Sequence, residues 1–213
     1  MPTDVPMGCS CGTLRGVARG LTPELGTRGI CYCDDCQSFA HFLGRADEIL
    51  DEHAGTDIFQ ISPARIELTA GTEQLACISL TPRLVRWYAD CCGTPIGNTL
   101  PVYQLPFVGL IHSCIQFAKG QSADAVLGPI RWRVHGRYAK GDRGQLDAYD
   151  RASLSLIWRF ARMVLAARLR GDHKRSPFFD PRTGEPTVTP RMLNDHELQQ
   201  IARKRNAFPA KLD

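Results

Sequence analysis

The chain has 213 residues, 43% of them hydrophobic and 23% charged, with a formal net charge of +4. These values suit one globular domain, or a domain with an extension, and exclude a disordered or fibrous chain. Nine cysteines are too sparse, and odd in number, for a disulfide scaffold, so clustered thiols point to metal chemistry in a reducing compartment.

Residues 1–8 show no basic segment followed by an apolar run, and no apolar stretch approaches the ~20 residues that span a bilayer. The expected location is the cytoplasm. In chain order, the first motif is Gly8-Cys9-Ser10-Cys11-Gly12. Its glycines permit the tight backbone of a metal knuckle. Two cysteines cannot close a site, and the segment Ala89-Asp90-Cys91-Cys92-Gly93-Thr94-Pro95 is the natural supplier of the remaining ligands.

The densest motif is Cys31-Tyr32-Cys33-Asp34-Asp35-Cys36. One CxC and one CxxC spacing can turn three sulfurs to a point, and such thiolate sets select Zn²⁺ or another soft metal. A fourth position is left to a distant residue, a water or a substrate. His41 and His53 are near enough in sequence to be considered. Asp34 and Asp35 read as solvated, or as acceptors that orient the ligands.

Residues 37–53 read as a helix or helical turn that Gly55 would stop. A strand is predicted over 58–68, with Ile66 and Leu68 on one face, and further strands over 74–80 and 84–88. The last leads straight into Cys91 and Cys92. Prolines alternating with apolar runs over 95–118 complete a β-rich body. Cys77 and Cys114 read as core thiols.

Together, the Gly-Cys9-x-Cys11-Gly motif, Cys31-x-Cys33-x-x-Cys36 and Cys92-Gly93-Thr94-Pro95 after a strand resemble the family of glutathione-dependent formaldehyde-activating enzymes, whose domain centromere protein V shares. The resemblance spans about residues 7–118. It implies a mainly β (α+β) β-tent fold of small antiparallel sheets with two zinc sites, one structural and one catalytic. By position, Cys9, Cys11 and Cys92 match structural ligands, and Cys31, Cys33 and Cys36 match the catalytic triad. The family's first cysteine before Gly-Thr falls on Ala89, which cannot bind metal. Cys91 is its expected replacement, with Asp90 or a water as alternatives.

Beyond residue 118 the resemblance fades. Gly136–Gly144 reads as a connector, dividing a zinc-binding domain over 1–140 from a helical, basic extension over 141–213 packed upon it. A helix from Asp150 or Ser153 to Leu169 sets Leu154, Ile157, Trp158, Ala161, Val164, Leu165 and Leu169 on one apolar face, expected to need a protein core, with Arg159, Arg162 and Arg170 opposite. Gly171 would end it. Asn194 and Glu197 suggest a capping box for a second helix. Ser176-Pro177-Phe178-Phe179-Asp180-Pro181 reads as a loop that anchors the tail or lines a pocket.

Residues 1–150 carry net −3 and residues 151–213 net +7, so the tail is expected to dock on its own acidic body. An acidic partner, anionic lipid or nucleic acid are the other readings, although no nucleic-acid-binding motif is present. Two functions follow. In one, the chain is a zinc-dependent carbon–sulfur lyase that takes a small-molecule thiol such as glutathione. In the other, it is a non-catalytic zinc-stabilised module whose basic C-terminal part binds an acidic partner.

Overall fold

The computed structural model describes residues 2–144 and 146–208. It is an α+β fold with mostly sheet content, built on two sheets. β1 (Thr3–Gly8), β2 (Arg15–Leu21) and β5 (Ile66–Ala70) form the small antiparallel sheet in that order. The large sheet takes in β3 (Thr27–Cys31), β4 (Thr56–Ile61), β6 (Leu75–Ser79), β7 (Val85–Ala89), β8 (Thr94–Thr99), β9 (Val108–Ile111), β10 (Trp132–Val134) and β11 (Arg191–Met192). Its strand order is β10-β3-β4-β9-β8-β7-β6-β11. The interior pairs are antiparallel, while β10 joins β3 and β11 joins β6 in parallel.

The predicted strand over 58–68 is two strands in two different sheets. Pro63 explains the break, because it has no N–H for a ladder. Ser62 accepts from the Ala64 amide at 3.4 Å and caps a short turn over Pro63–Arg65, which carries the chain from β4 to β5. The predicted helix over 37–53 is likewise two pieces. α1 (Asp34–Phe42) begins earlier, Gly44 turns the backbone at φ 67°, and α2 (Ala46–Ile49) follows. The earlier start places Cys36 on the first turn of α1, with Cys33 as the residue just before the helix.

Trp87 is fully buried at the centre of the main core with Phe59, Ile96 and Leu110. Phe178 and Phe179 enter this same core, their rings 5.0 and 6.3 Å from Trp87. The aromatic loop is therefore an anchor for the tail. Cys77 and Cys114 are core thiols, each donating to a carbonyl, Val188 at 3.2 Å and Ile96 at 3.4 Å.

Three more helices complete the fold: α3 (Ala123–Leu127), α4 (Leu154–Leu169) and α5 (Asp195–Ala207). The capping box of α5 is present, with Asn194 Oδ1 accepting from the Glu197 amide at 2.9 Å and Glu197 accepting from the Asn194 amide at 3.0 Å. α5 packs on α1, where Arg205 lies 3.5 Å from Asp34.

α4 seats a different flank from the one its apolar pattern suggests. Of the predicted face only Val164 is buried, whereas Leu154, Ile157, Trp158, Leu165 and Leu169 are exposed. The seated flank carries Val164, Ala167 and Phe160, whose ring meets Phe107 at 5.0 Å. Arg159, on the side opposite the predicted face, donates to Thr27 Oγ1 at 2.6 Å and to the Gly26 carbonyl at 3.2 Å. Two hydrogen bonds at the sheet edge hold the helix in this rotation. Among the described residues, no helix is long and apolar enough to cross a membrane.

Candidate metal centres

The structure gathers the seven predicted cysteine ligands into two clusters, Cys9, Cys11, Cys91 and Cys92 in one and Cys31, Cys33 and Cys36 in the other. Within each, the sulfurs all lie within 4.8 Å of one another.

The four-cysteine cluster joins two hairpins. Cys9 and Cys11 sit in the turn from β1 to β2, where Leu14 N–H donates to Cys9 Sγ at 3.2 Å, as a knuckle requires. Cys91 and Cys92 sit in the turn from β7 to β8, closed by the Gly93 amide on Ala89 O at 2.8 Å with Gly93 at φ 68°. Ala89 itself is fully buried in the sheet. Cys91 joins Cys9, Cys11 and Cys92 in the cluster. Four sulfur separations read 3.4 Å (Cys9 to Cys11), 3.7 Å (Cys9 to Cys91), 3.4 Å (Cys11 to Cys91) and 4.0 Å (Cys91 to Cys92). Metal–sulfur bonds of ~2.3 Å in a regular tetrahedron set sulfurs about 3.8 Å apart. The residues fit a closed tetrahedral ion.

Burial works against charge on Cys92, yet hydrogen bonds from Ser10 and Thr94 outweigh it and bring the thiol down to about 5. These contacts favour its thiolate form, the form that ligates metal.

The three-cysteine cluster is made at the junction of β3 and α1. Cys31 ends the strand, Cys33 is the residue before the helix, and Cys36 lies one turn in. Gln37 locks this knuckle, its Nε2 donating to the carbonyls of Tyr32 at 2.7 Å and Tyr138 at 3.0 Å. Hydrogen bonds from Cys31 and Cys33 hold Cys36 well below the ordinary thiol range, and the Arg86 guanidinium adds to this. The same sulfur contacts, with burial, push Cys31 up. For Cys33 the Cys31 contact lowers the thiol, but Cys36 and burial raise it to about 12. Of the three, Cys36 is the thiol that its surroundings lower.

Among the described residues, no His, Asp, Glu or further Cys joins this group. His53 places Nδ1 2.9 Å from the Lys140 carbonyl, to which it donates, and His41 packs its ring on Phe208 at 5.2 Å. Neither is a ligand here. Asp35 accepts from Thr81 Oγ1 at 3.0 Å and approaches Arg86 at 4.0 Å, so it faces the cluster's neighbourhood more than bulk water.

The three thiols open into a cavity of about 810 Å³. Arg86 from β7 is its most informative wall residue, with a side chain only 2% exposed. Its Nη1 donates to Asn98 Oδ1 at 3.1 Å and points at Cys36 Sγ at 3.8 Å. Nη2 has no hydrogen-bond partner, and neither has Nε1 of Trp132, another wall residue. Both atoms are buried, and the Asp35 carboxylate lies 4.0 Å from Nη2. His135 also lines the cavity, with a left-handed φ of 63° that a side chain rarely adopts. Such strain collects at functional positions. From the tail, Leu156, Ile157 and Phe160 of α4 form the opposite wall. Sequence reasoning passed over Arg86 and His135, and the signal for Arg86 was an arginine inside the apolar run Leu84–Tyr88.

Fold and site together define an α+β protein with two cysteine clusters able to hold metal ions. The chain belongs to the family described as "Family of unknown function (DUF6151)", whose profile matches residues 1–189. No curated protein matches it. One similar solved structure is a crystal structure of a Rhodobacter sphaeroides protein determined as a structural genomics target. It is 14% identical, covers 59% of this chain and 96% of its own, and superposes with a TM-score of 0.40, too low to bear on fold or function.

Proposed function

We propose that the protein is a zinc enzyme of carbon–sulfur lyase type, acting at Cys31, Cys33 and Cys36 on the adduct of a thiol with a small aldehyde, of the glutathione and formaldehyde kind. The observation that carries this reading is the contrast between the clusters. One has four sulfurs, while the described residues give the other three sulfurs and a cavity. The order and spacing of the three cysteine motifs support the same reading.

Cys31, Cys33 and Cys36 would hold the catalytic ion, and Cys9, Cys11, Cys91 and Cys92 the structural one. Bound at the first site, zinc supplies a Lewis acid that keeps an incoming thiol ionised at neutral pH. In the adduct-forming direction the thiol sulfur bonds to the carbonyl carbon, the C=O π pair moves to oxygen, and the thiol proton ends on that oxygen. The reverse direction breaks the same carbon–sulfur bond, with no net oxidation either way. His135 is the imidazole of the cavity wall, and the reading assigns it the proton. Arg86 gives the cavity wall a cation beside Cys36, which suits the negative charge of a thiolate. A cavity of about 810 Å³ falls in the range that small ligands occupy.

The competing reading is a non-catalytic metal-stabilised module. The observation in its favour is the exposed basic flank of the tail around α4. Zinc-edge X-ray absorption before and after adding glutathione separates the two. An open site predicts that average sulfur coordination rises from about 3.5 to about 4 per ion. Coordination indifferent to the thiol would leave the module. His135→Asn adds a kinetic test, since asparagine tolerates the left-handed backbone. Formaldehyde–glutathione turnover should fall roughly 10²- to 10⁴-fold with thermal stability retained.

A further inference from the structure

Helix α4 has two apolar flanks and uses only one. The outer flank presents Leu154, Ile157, Trp158, Leu165 and Leu169, which are 85, 50, 66, 59 and 79% exposed. At ~100° per residue these five side chains fall within about a third of the helix circumference, so they form a continuous strip. Scattered apolar residues are normal on a surface, but a contiguous strip of this kind marks an interaction site.

Beside the strip, and sharing Trp158 with it, runs a groove of about 730 Å³ whose wall includes Arg131, Arg159, Arg162 and Arg170. Arg159 is held by Thr27 and Gly26, and Arg170 by Asp172. The guanidiniums of Arg131 and Arg162 have no hydrogen-bond or ion-pair partner among the described residues. Residues 151–171 contain five arginines and neither Asp nor Glu.

We propose that α4 docks the protein peripherally on an anionic phospholipid bilayer. The strip enters the boundary between headgroups and acyl chains, and Arg131 and Arg162 meet lipid phosphates in the groove. An interfacial amphipathic helix combines this composition, with Trp and Leu on one side and arginine on the other. Charge argues against a second copy of the chain as occupant. Pairing two α4 helices across a two-fold axis brings three arginines toward three, and the helix offers no carboxylate to neutralise them. Spanning is excluded for this helix, because 16 residues reach only ~24 Å against a hydrocarbon core of ~30 Å. Ile157 belongs both to the strip and to the wall of the cysteine cavity. Docking would therefore set that cavity at the membrane surface.

The test is flotation of the full chain with phosphatidylcholine vesicles, with and without phosphatidylglycerol, read together with tryptophan emission. Trp87 and Trp132 are buried, so Trp158 dominates any blue shift. Two unpaired arginines predict a roughly 30-fold preference for the anionic vesicles, lost at high salt. Leu165→Glu with Leu169→Glu should abolish binding without altering the circular dichroism, since both side chains face solvent, and Arg162→Glu should remove the lipid preference. Equal binding to both vesicles, or binding to neither, overturns the proposal. So does a dimer in sedimentation velocity that the Leu165→Glu change converts to monomer.

Discussion

Replacing Arg86 by methionine tests whether this buried cation is the counter-charge of the three-cysteine cluster. Its Nη1 lies 3.8 Å from Cys36 Sγ. At an effective dielectric near 20, two unit charges at that distance interact by about 4 kcal/mol. Three thiolates on a divalent ion leave about one negative charge spread over three sulfurs, so the usable part is about 1.5–3 kcal/mol, or a 10- to 100-fold loss of metal affinity. Methionine keeps most of the volume, while Arg86→Lys keeps the charge and should recover most of the affinity. The assay is competition for zinc against a chromophoric chelator, with the four-cysteine site as internal control. The deficit should widen as pH falls, because Arg86 helps to hold the Cys36 thiol low and the proton then competes better. Unchanged affinity at the three-cysteine site, with the fold intact, would refute the argument.

Cys91→Ser should weaken metal binding at the four-cysteine cluster and reduce the thermal stability of the metal-loaded protein, because three sulfurs remain where four closed the site; metal titration and calorimetry check both. Asp172 is buried, which opposes its charge, but hydrogen bonds from Ser62, Arg170 and Arg175 more than compensate and hold its carboxyl below the usual range. Its contribution is therefore present above the ordinary carboxylate pKa and lost as pH falls through the lower folded value. Asp172→Asn should cost about 1–3 kcal/mol at neutral pH, and the difference from the parent protein in denaturant melts should shrink at strongly acidic pH.

The cysteine clusters were legible in the sequence because their ligands come in short local spacings, and the capping box at Asn194 and Glu197 was legible for the same reason. Arg86 was harder to see. Alternation along a strand assigns an arginine to the wet face, yet all five residues of β7 are buried because both faces of the sheet are covered there. Helix α4 shows a different limit. Periodicity found an apolar flank, but the helix has two, and the choice between them is made by Arg159 reaching Thr27 and by Phe160 meeting Phe107. Those partners lie far away in sequence. β10 escaped notice because three residues, Trp132–Val134, are too few for a pattern, and they pair in parallel with β3 only after about a hundred residues of intervening chain.

The four-cysteine cluster has a consequence for how the chain finds its fold. Cys9 and Cys91 are 82 positions apart, and a bond between such positions removes about 4.5 kcal/mol of loop-closure entropy from the unfolded ensemble by the chain-entropy estimate for a cross-link. Each hairpin can form alone, but the tie can be made only when the hairpin of β1 and β2 meets that of β7 and β8. Cys31, Cys33 and Cys36 need no such encounter and can catch an ion within six residues. Metal supplied during synthesis would thus meet the local trap first and the long-range tie last. An ion held by the four-cysteine cluster would join the ends of the two sheets, and the newly made chain would then be more sensitive to metal starvation than the finished protein.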